Sequence, residues 1–270
     1  MWAGFYVLAA ATLWSTIGVA SVLGGDVVLM AFTRSFIAGL AGLYFLRSCS
    51  KPSIIAGVLL GVLFSSYPIA AILAGVGTAA YLLYTAPLWT TISSTLLGEK
   101  PGIVDIIGVT LILIAVTLIG LDVGAGNVTL AGFITGLVAG ISYGLYISVA
   151  RYYSKTGRRG EVSLAAMPYT LLVTTPMLLA YMVTGRSQLS FEPVIAGVYM
   201  AFFNTLIPYT LFTKGVERIG AATASVIATA EPVLAALWGL LLFKQVPTPL
   251  TLVAYVVITV ALVITALRSR

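Results

Sequence analysis

AATASVIATAEPVLAALWGLLLFKQVP, residues 221–247, is apolar almost throughout, yet it holds one carboxylate, Glu231, with a helix-breaker, Pro232, directly after it. GTAAYLLYTAPLWTTISSTLLGEKP, residues 77–101, repeats the pattern 145 residues earlier, with Pro87 against Pro232 and Glu99 against Lys244. A looser correspondence links SSYPIAAIL around Pro68 with TLIPYTLF around Pro208. Each of the two long segments carries a proline near its middle and ends in a polar turn. Two copies of one design in one chain predict an internal repeat, and the chain's composition says what kind.

Of 270 residues, 60% are hydrophobic and 8% are charged, against roughly 25% charged in a soluble domain. Mean hydropathy is +1.10. So few charges cannot cover a soluble globule, so the chain reads as an integral membrane protein. The net charge of +6 is spread along the chain rather than gathered in one patch, which argues against a nucleic-acid partner. A single cysteine, Cys49, allows no internal disulfide. The absence of histidine removes the commonest general base and metal ligand. The N-terminal MWAGFYVLAAATLWSTIGVA lacks a basic leader and is longer than a signal-peptide core of ~7–15 residues, so it reads as a first span.

A spanning helix needs ~20 apolar residues. Charge, Gly and Pro divide the chain into ten such stretches, at 2–23, 27–47, 53–74, 76–97, 102–121, 130–152, 162–184, 193–213, 220–243 and 249–267. The longest polar connection is RYYSKTGRRGE, 151–161. Lys and Arg fall unevenly between the two sides. One side carries Arg47, Lys51, Lys100, Arg151, Lys155, Arg158, Arg159, Lys214, Arg218, Arg268 and Arg270, and the other only Arg186 and Lys244. The positive-inside rule then predicts a multi-pass protein of the cell membrane with both termini cytoplasmic.

Ten spans in two copies give five per copy. An odd number inserts the copies in opposite directions, the inverted-repeat plan of secondary transporters, whose substrate sites lie near the midplane between repeats. The expected fold is an all-α integral membrane protein of ten transmembrane helices, with one five-helix repeat at 1–125 and a second at 126–270. Such a monomer builds a whole pathway alone.

The order and spacing of AATLWSTIGVAS (10–21), AFTRSFIAGL (31–40), APLWTTISSTLLGEKP (86–101) and AEPVLAALWGLLLFKQVP (230–247) resemble the drug/metabolite transporter superfamily in its ten-span, EamA-type branch. The resemblance runs over essentially the whole chain. It implies a transporter, usually an exporter, with a central cavity built from both repeats. The chain departs from the family pattern where the usual Gly-Glu turn after the ninth span reads Phe243-Lys244.

Glu231 stands about halfway along its span, where a charge costs ~2.5–3.5 kcal/mol on insertion scales. It must therefore face protein or a water-filled cavity, binding a cationic group or carrying a proton across. The alternative is a protonated acid that only bonds a neighbouring helix. Pro232 cannot donate to the carbonyl one turn earlier, at about Ala228, so a polar patch forms there. Trp238, seven residues on, falls on the same helical face.

Arg34 is the second intramembrane charge. It either snorkels, or partners a carbonyl or Asp26, or it grips a substrate carboxylate. Tyr81 and Tyr84 share a face by spacing, as do Tyr143 and Tyr146. Trp14, Tyr67, Tyr84, Tyr143 and Tyr209 lie too deep for an interfacial belt and either line a pocket or pack. Asn204 is helix–helix glue or a substrate ligand. Pro68, Pro87, Pro208 and Pro232 mark bending points. Small residues in AGLAGLY (38–44) and GVLLG (57–61) predict close helix contacts.

The expected function is export of a small metabolite, an amino acid or related compound, by alternating access, with lipid around the protein and protons as candidate coupling ion. Efflux of cationic drugs or nucleobases is the alternative, and a channel a weaker one. An intramembrane enzyme is disfavoured: there is no His, and Asp26, Asp105 and Asp122 all fall in or beside connections. No metal ligand set and no cofactor is expected.

Overall fold

The computed structural model describes residues 2–43, 51–96, 98, 102–154, 164–187, 189–219 and 227–268. Arg47, Lys100, Lys155, Arg158, Arg159 and Arg270, on which much of the charge asymmetry rests, lie outside the described residues, as do Cys49 and Glu99.

Among the described residues the chain is all α, without a strand. The helices are α1 (Trp2–Ser15), α2 (Ile17–Gly24), α3 (Val27–Leu43), α4 (Lys51–Leu73), α5 (Val76–Leu83), α6 (Ala86–Leu96), α7 (Ile103–Gly124) and α8 (Leu130–Ser154). They continue with a 3-10 turn (Leu164–Thr170), α9 (Leu171–Val183), α10 (Phe191–Ala201), a π-helical turn (Phe202–Leu206), α11 (Ile207–Ile219), α12 (Ala230–Phe243) and α13 (Pro249–Arg268). Seven helical runs are long and apolar enough to cross a membrane, and α3 and α12 are shorter apolar helices. The protein is a multi-pass membrane protein.

Several expected spans are broken. The first bends at Thr16, whose Oγ1 donates to the Leu13 carbonyl (2.7 Å); a hydroxyl bonding back in this way bends a helix. The fourth is two pieces, α5 and α6, separated at Tyr84 and Thr85. The eighth runs through the π turn just before Pro208. In the ninth, a turn at Thr229 precedes α12, and residues 220–226 lie outside the described residues. So Pro87, Pro208 and Pro232 each follow a local irregularity. Pro68 does not: α4 passes through it unbroken, because a single missing N–H removes one bond without ending a long packed helix. The seventh span holds Pro168 in its 3-10 turn and Pro176 in α9, neither of which was expected as a bending point.

Two helix starts are held by acidic side chains. Asp26 Oδ1 accepts the N–H groups of Val28 and Leu29 (3.0 Å each) at the start of α3, satisfying donors that a helix leaves open. Asp105 does the same for the Gly102 N–H (2.7 Å) before α7.

Packing follows the small residues. α4 lies against α8, α13 against α7, α1 against α11, and α3 against α10. The 3-10 turn and α9 wedge onto α3 and α4, through the glycines the sequence pointed to. A Cβ on Gly42 would sit 2.7 Å from Pro168 Cδ, and one on Gly61 would sit 2.8 Å from the Thr170 carbonyl. The largest core cluster centres on α4, with Phe64, Leu60 and Tyr67 packed on Met30, Val76 and Met200. That cluster surrounds the site.

Candidate functional site

Eight helices converge on one small cavity. Its wall is Trp14 (α1), Arg34 (α3), Leu63, Phe64 and Tyr67 (α4), Tyr143 (α8), Tyr209 (α11) and Glu231 (α12), with Ile17 and Leu83 completing it. Trp14, Arg34, Tyr67, Tyr143, Tyr209 and Glu231 were singled out in the sequence, and the fold brings all six together. Its free volume is ≈ 40 Å³, room for about three waters and well below the ~300 Å³ of a small-molecule pocket. On its wall, Trp14 packs edge-on against Tyr209 (5.5 Å between centroids) and tilted against Phe212 (5.4 Å).

Arg34 does not snorkel and does not meet Asp26. It is 4% exposed and stacks its guanidinium over the Phe64 ring, 3.7 Å from the centroid. Nε donates to Thr205 Oγ1 (2.9 Å) and Nη2 to the Asn204 carbonyl (3.3 Å). Asp26 is occupied elsewhere, with the start of α3 and with Ser187 Oγ, which donates to its Oδ2. The carbonyl that Arg34 uses has a backbone origin. Pro208 lies four residues after Asn204 and has no N–H to give it. The π turn over 202–206 turns this segment toward α3, a distortion common at functional sites.

Glu231 is 5% exposed, in the first turn of α12. Its Oε2 accepts from Tyr84 Oη (2.7 Å), and the same hydroxyl lies 3.3 Å from the Ala228 carbonyl. That is the carbonyl expected to be left over by Pro232, and Tyr84 reaches it from the α5–α6 turn. The two prolines thus work alike: each releases a carbonyl, and a side chain from another helix takes it, Arg34 from the cavity wall and Tyr84 from outside it.

Arg34 and Glu231 line the same cavity, yet their hydrogen bonds go to Thr205, Asn204 and Tyr84 rather than to each other. Arg carries five N–H donors, and two are engaged here. The Tyr84 bond engages Glu231 through Oε2. Tyr67 Oη, on the cavity wall, is buried and has no partner among the described residues. An unsatisfied buried hydroxyl costs about 1–3 kcal/mol, which a polar ligand offsets. The cavity presents a cation, an acid and an orphan hydroxyl on aromatic walls.

The remaining expected residues fall outside the wall. Asn204 sits behind Arg34, its side-chain amide donating to the Leu13 carbonyl and to Thr16 Oγ1 (3.1 Å), so it joins α1 to the π turn. Trp238 turns away, its Nε1 donating to Ser15 Oγ (2.9 Å), which ties α12 to α1. Two turns of helix carry it too far toward the α12 end to reach the cavity. Tyr81 and Tyr84 both pack on one cluster, but their partners differ: Tyr81 stacks on Tyr255 at 4.0 Å, while Tyr84, at the end of α5, turns its hydroxyl to Glu231. Tyr143 and Tyr146 do stack in parallel, at 6.4 Å. Phe64 and Thr205, which hold Arg34, were not anticipated. Phe64 lies one turn before Pro68 on α4, and no signal within that helix marks it as a partner of Arg34.

Beyond the cavity toward the α12–α13 turn, the helices close tightly. A Cβ on Gly77 would lie 2.9 Å from Ala236 Cα, so α5 and α12 meet nearly backbone to backbone. Gln245 Oε1 accepts the Val76 N–H (2.8 Å) at the start of α5. Asp122, 3% exposed, accepts from Thr248, Thr251 and Asn127. These bonds clasp α7 and α5 to the α12–α13 turn.

Comparison with known proteins places this arrangement. The model of the EamA-like transporter family matches residues 130–267, half of the chain. An uncharacterized transporter of Archaeoglobus fulgidus is 29% identical over 251 residues, covering 90% of this chain and 88% of that protein. The threonine/homoserine exporter RhtA of Escherichia coli is 24% identical over 231 residues, covering 85% of this chain and 74% of that protein. One solved crystal structure, 21% identical, superposes with a TM-score of 0.64 over 99% of this chain and 97% of its own; at that identity the likeness is one of fold.

Proposed function

The chain belongs to the EamA-like transporter family, and from that premise we propose that it is a secondary carrier that exports a small amino acid or related zwitterion across the cell membrane. The observation that carries this reading is the pair Arg34 and Glu231, both facing one aromatic cavity and neither spent on the other. A guanidinium fork suits a carboxylate, and a carboxylate beside ring faces suits an ammonium. The named substrates of RhtA, threonine and homoserine, have both groups.

In this proposal the ten helical runs are ten spans, arranged as inverted repeats over 1–125 and 126–270 with both termini in the cytoplasm. The matched breaks before Pro87 and Pro232, 145 residues apart, support it. The contracted cavity is then an occluded state. Substrate entry requires Trp14 and Tyr209 to part, and release requires the α5–α12 seam to open, as rocking of one repeat against the other would do. Glu231 is the proton-coupling group, with Tyr84 as its hydrogen-bond partner and Tyr67, Tyr143, Tyr209 and Arg34 as the other ionisable groups around it.

Counterflow in liposomes tests the reading. Vesicles loaded with unlabelled amino acid should accumulate the labelled compound, with saturation, and Glu231→Gln should abolish both the accumulation and its pH dependence. Accumulation of nucleosides or cationic dyes in place of amino acids overturns the zwitterion assignment, and ohmic single-channel currents overturn the carrier.

A further inference from the structure

The turn Phe243-Lys244, where the chain departs from the family's usual Gly-Glu, has no part in the cavity. Lys244 is exposed and has φ 55°, the one positive φ among described non-glycine residues. Glycine would hold that backbone without strain. A lysine here therefore makes sense only through its side chain, and by sequence it is one of two cations on its side of the membrane, with Arg186 the other.

Two cavities meet in the α12–α13 hairpin whose turn carries Lys244; they share Pro247, three residues after it, and neither is lined by Lys244 itself. The first, ≈ 290 Å³, is a polar chamber lined by Gly75, Thr78, Asn127, Gln245 and Thr248 among others. The second, ≈ 400 Å³, is an apolar cleft between α12 and α13, lined by Val233, Leu237, Leu240, Leu252, Val256 and Val260 over a floor of Tyr81 and Tyr255. Ala236, Pro247 and Tyr255 belong to both. The cleft exists because the two helices of this hairpin pack on different neighbours, α12 on α5 and α1, α13 on α7. Its lining is mostly apolar: the Tyr255 hydroxyl is turned to Thr78 (2.8 Å), and the Tyr81 hydroxyl meets Thr259 (3.3 Å), itself part of the cleft wall. Its sides are membrane-facing, with Leu237 44% and Val256 57% exposed.

A polar chamber that continues into an apolar cleft open to the bilayer, with a cation at the helix end, has the order of parts of a phospholipid. We propose that the α12–α13 hairpin binds one anionic phospholipid, its phosphate at Lys244, its glycerol and ester region at the mouth of the polar chamber, and an acyl chain along the cleft. Gln245 Oε1 is held by Val76, which leaves its Nε2 as a donor for an ester carbonyl. A lone lysine near a membrane surface favours an anionic headgroup about fivefold. The cleft lines the outward side of α12, the helix that closes against α5 at Gly77, so a bound chain braces that seam. This lipid site depends on the protein crossing the membrane and not on what it carries.

Native mass spectrometry of the purified protein with phosphatidylglycerol or phosphatidylcholine in mixed micelles reads the site directly, with thermal melts alongside. The wild type should retain one phosphatidylglycerol about fivefold more tightly than phosphatidylcholine, and melt higher with it. Lys244→Gly, which relieves the backbone, should fold well and bind the two lipids equally. Val256→Trp, filling the cleft from its open side, should retain neither. Soluble glycerol 3-phosphate should give no shift. A preference surviving Lys244→Gly, lipid retained by Val256→Trp, or stabilisation by glycerol 3-phosphate alone overturns the proposal. None of these readouts is transport, so failure here leaves the carrier reading untouched.

Discussion

Tyr84 donates a 2.7 Å hydrogen bond to Glu231 and so ties the α5–α6 turn to the first turn of α12. The two residues come from helices that each break just ahead of a proline. One phenol therefore reads the state of the only described acid in the cavity wall. In the proposed coupling, the phenol's hydrogen points to the carboxylate when Glu231 is ionised, and is released to the Ala228 carbonyl, 3.3 Å away, when Glu231 is protonated or engaged by a substrate ammonium.

Tyr84→Phe keeps the ring and removes this link. Hydrogen bonds to charged groups contribute about 1.5–3 kcal/mol, so the melting temperature should fall measurably in detergent. Substrate affinity should change little, while the pH profile of transport shifts. An unchanged profile would mean that Tyr84 only packs.

Arg34→Lys should cost substrate affinity about tenfold or more, by the same range of bond energies at 1.4 kcal/mol per tenfold. Lysine cannot reach Thr205 and Asn204 while presenting further N–H groups in a plane. A KM measured in counterflow checks this.

Gly61→Val should destabilise the protein by roughly 1–3 kcal/mol, the cost of overpacking, because Thr170 and Val173 lie within 2.9 Å of the new Cβ. Gly120→Ala, whose Cβ meets nothing nearer than Phe133 at 3.8 Å, should be neutral or stabilising. Thermal melts of the pair separate the two outcomes.

Asp122→Asn should lower stability by about 1–3 kcal/mol, since an amide cannot accept from Thr248, Thr251 and Asn127 together. KM should stay within twofold of wild type, because the clasp lies outside the cavity. A large change in KM would place Asp122 in the substrate path.

Much of the site was legible because its physics is local. The offset of four residues from Pro232 identified the Ala228 carbonyl before any coordinates. The same arithmetic from Pro208 identifies Asn204, whose carbonyl Arg34 takes, but attention to its side chain hid this. Intramembrane charge marked Glu231 and Arg34 by cost alone. What the sequence could not supply was direction across a break. Tyr84 sits at the end of α5, and no spacing along that helix shows that its hydroxyl reaches across to α12. Trp238 shares a face with Glu231, yet two turns carry it to Ser15. The stacking of Arg34 on Phe64 joins two helices, and no spacing within either one announces it.

The central claim is that Arg34 and Glu231 hold opposite ends of one zwitterion. Binding of an exported amino acid, its decarboxylated amine and its deaminated acid, measured by calorimetry on wild type, Arg34→Gln and Glu231→Gln, tests it most directly. The account predicts a crossed pattern. Arg34→Gln should weaken the amino acid and the acid but spare the amine, and Glu231→Gln should weaken the amino acid and the amine but spare the acid. Equal weakening of all three ligands by either substitution would contradict it.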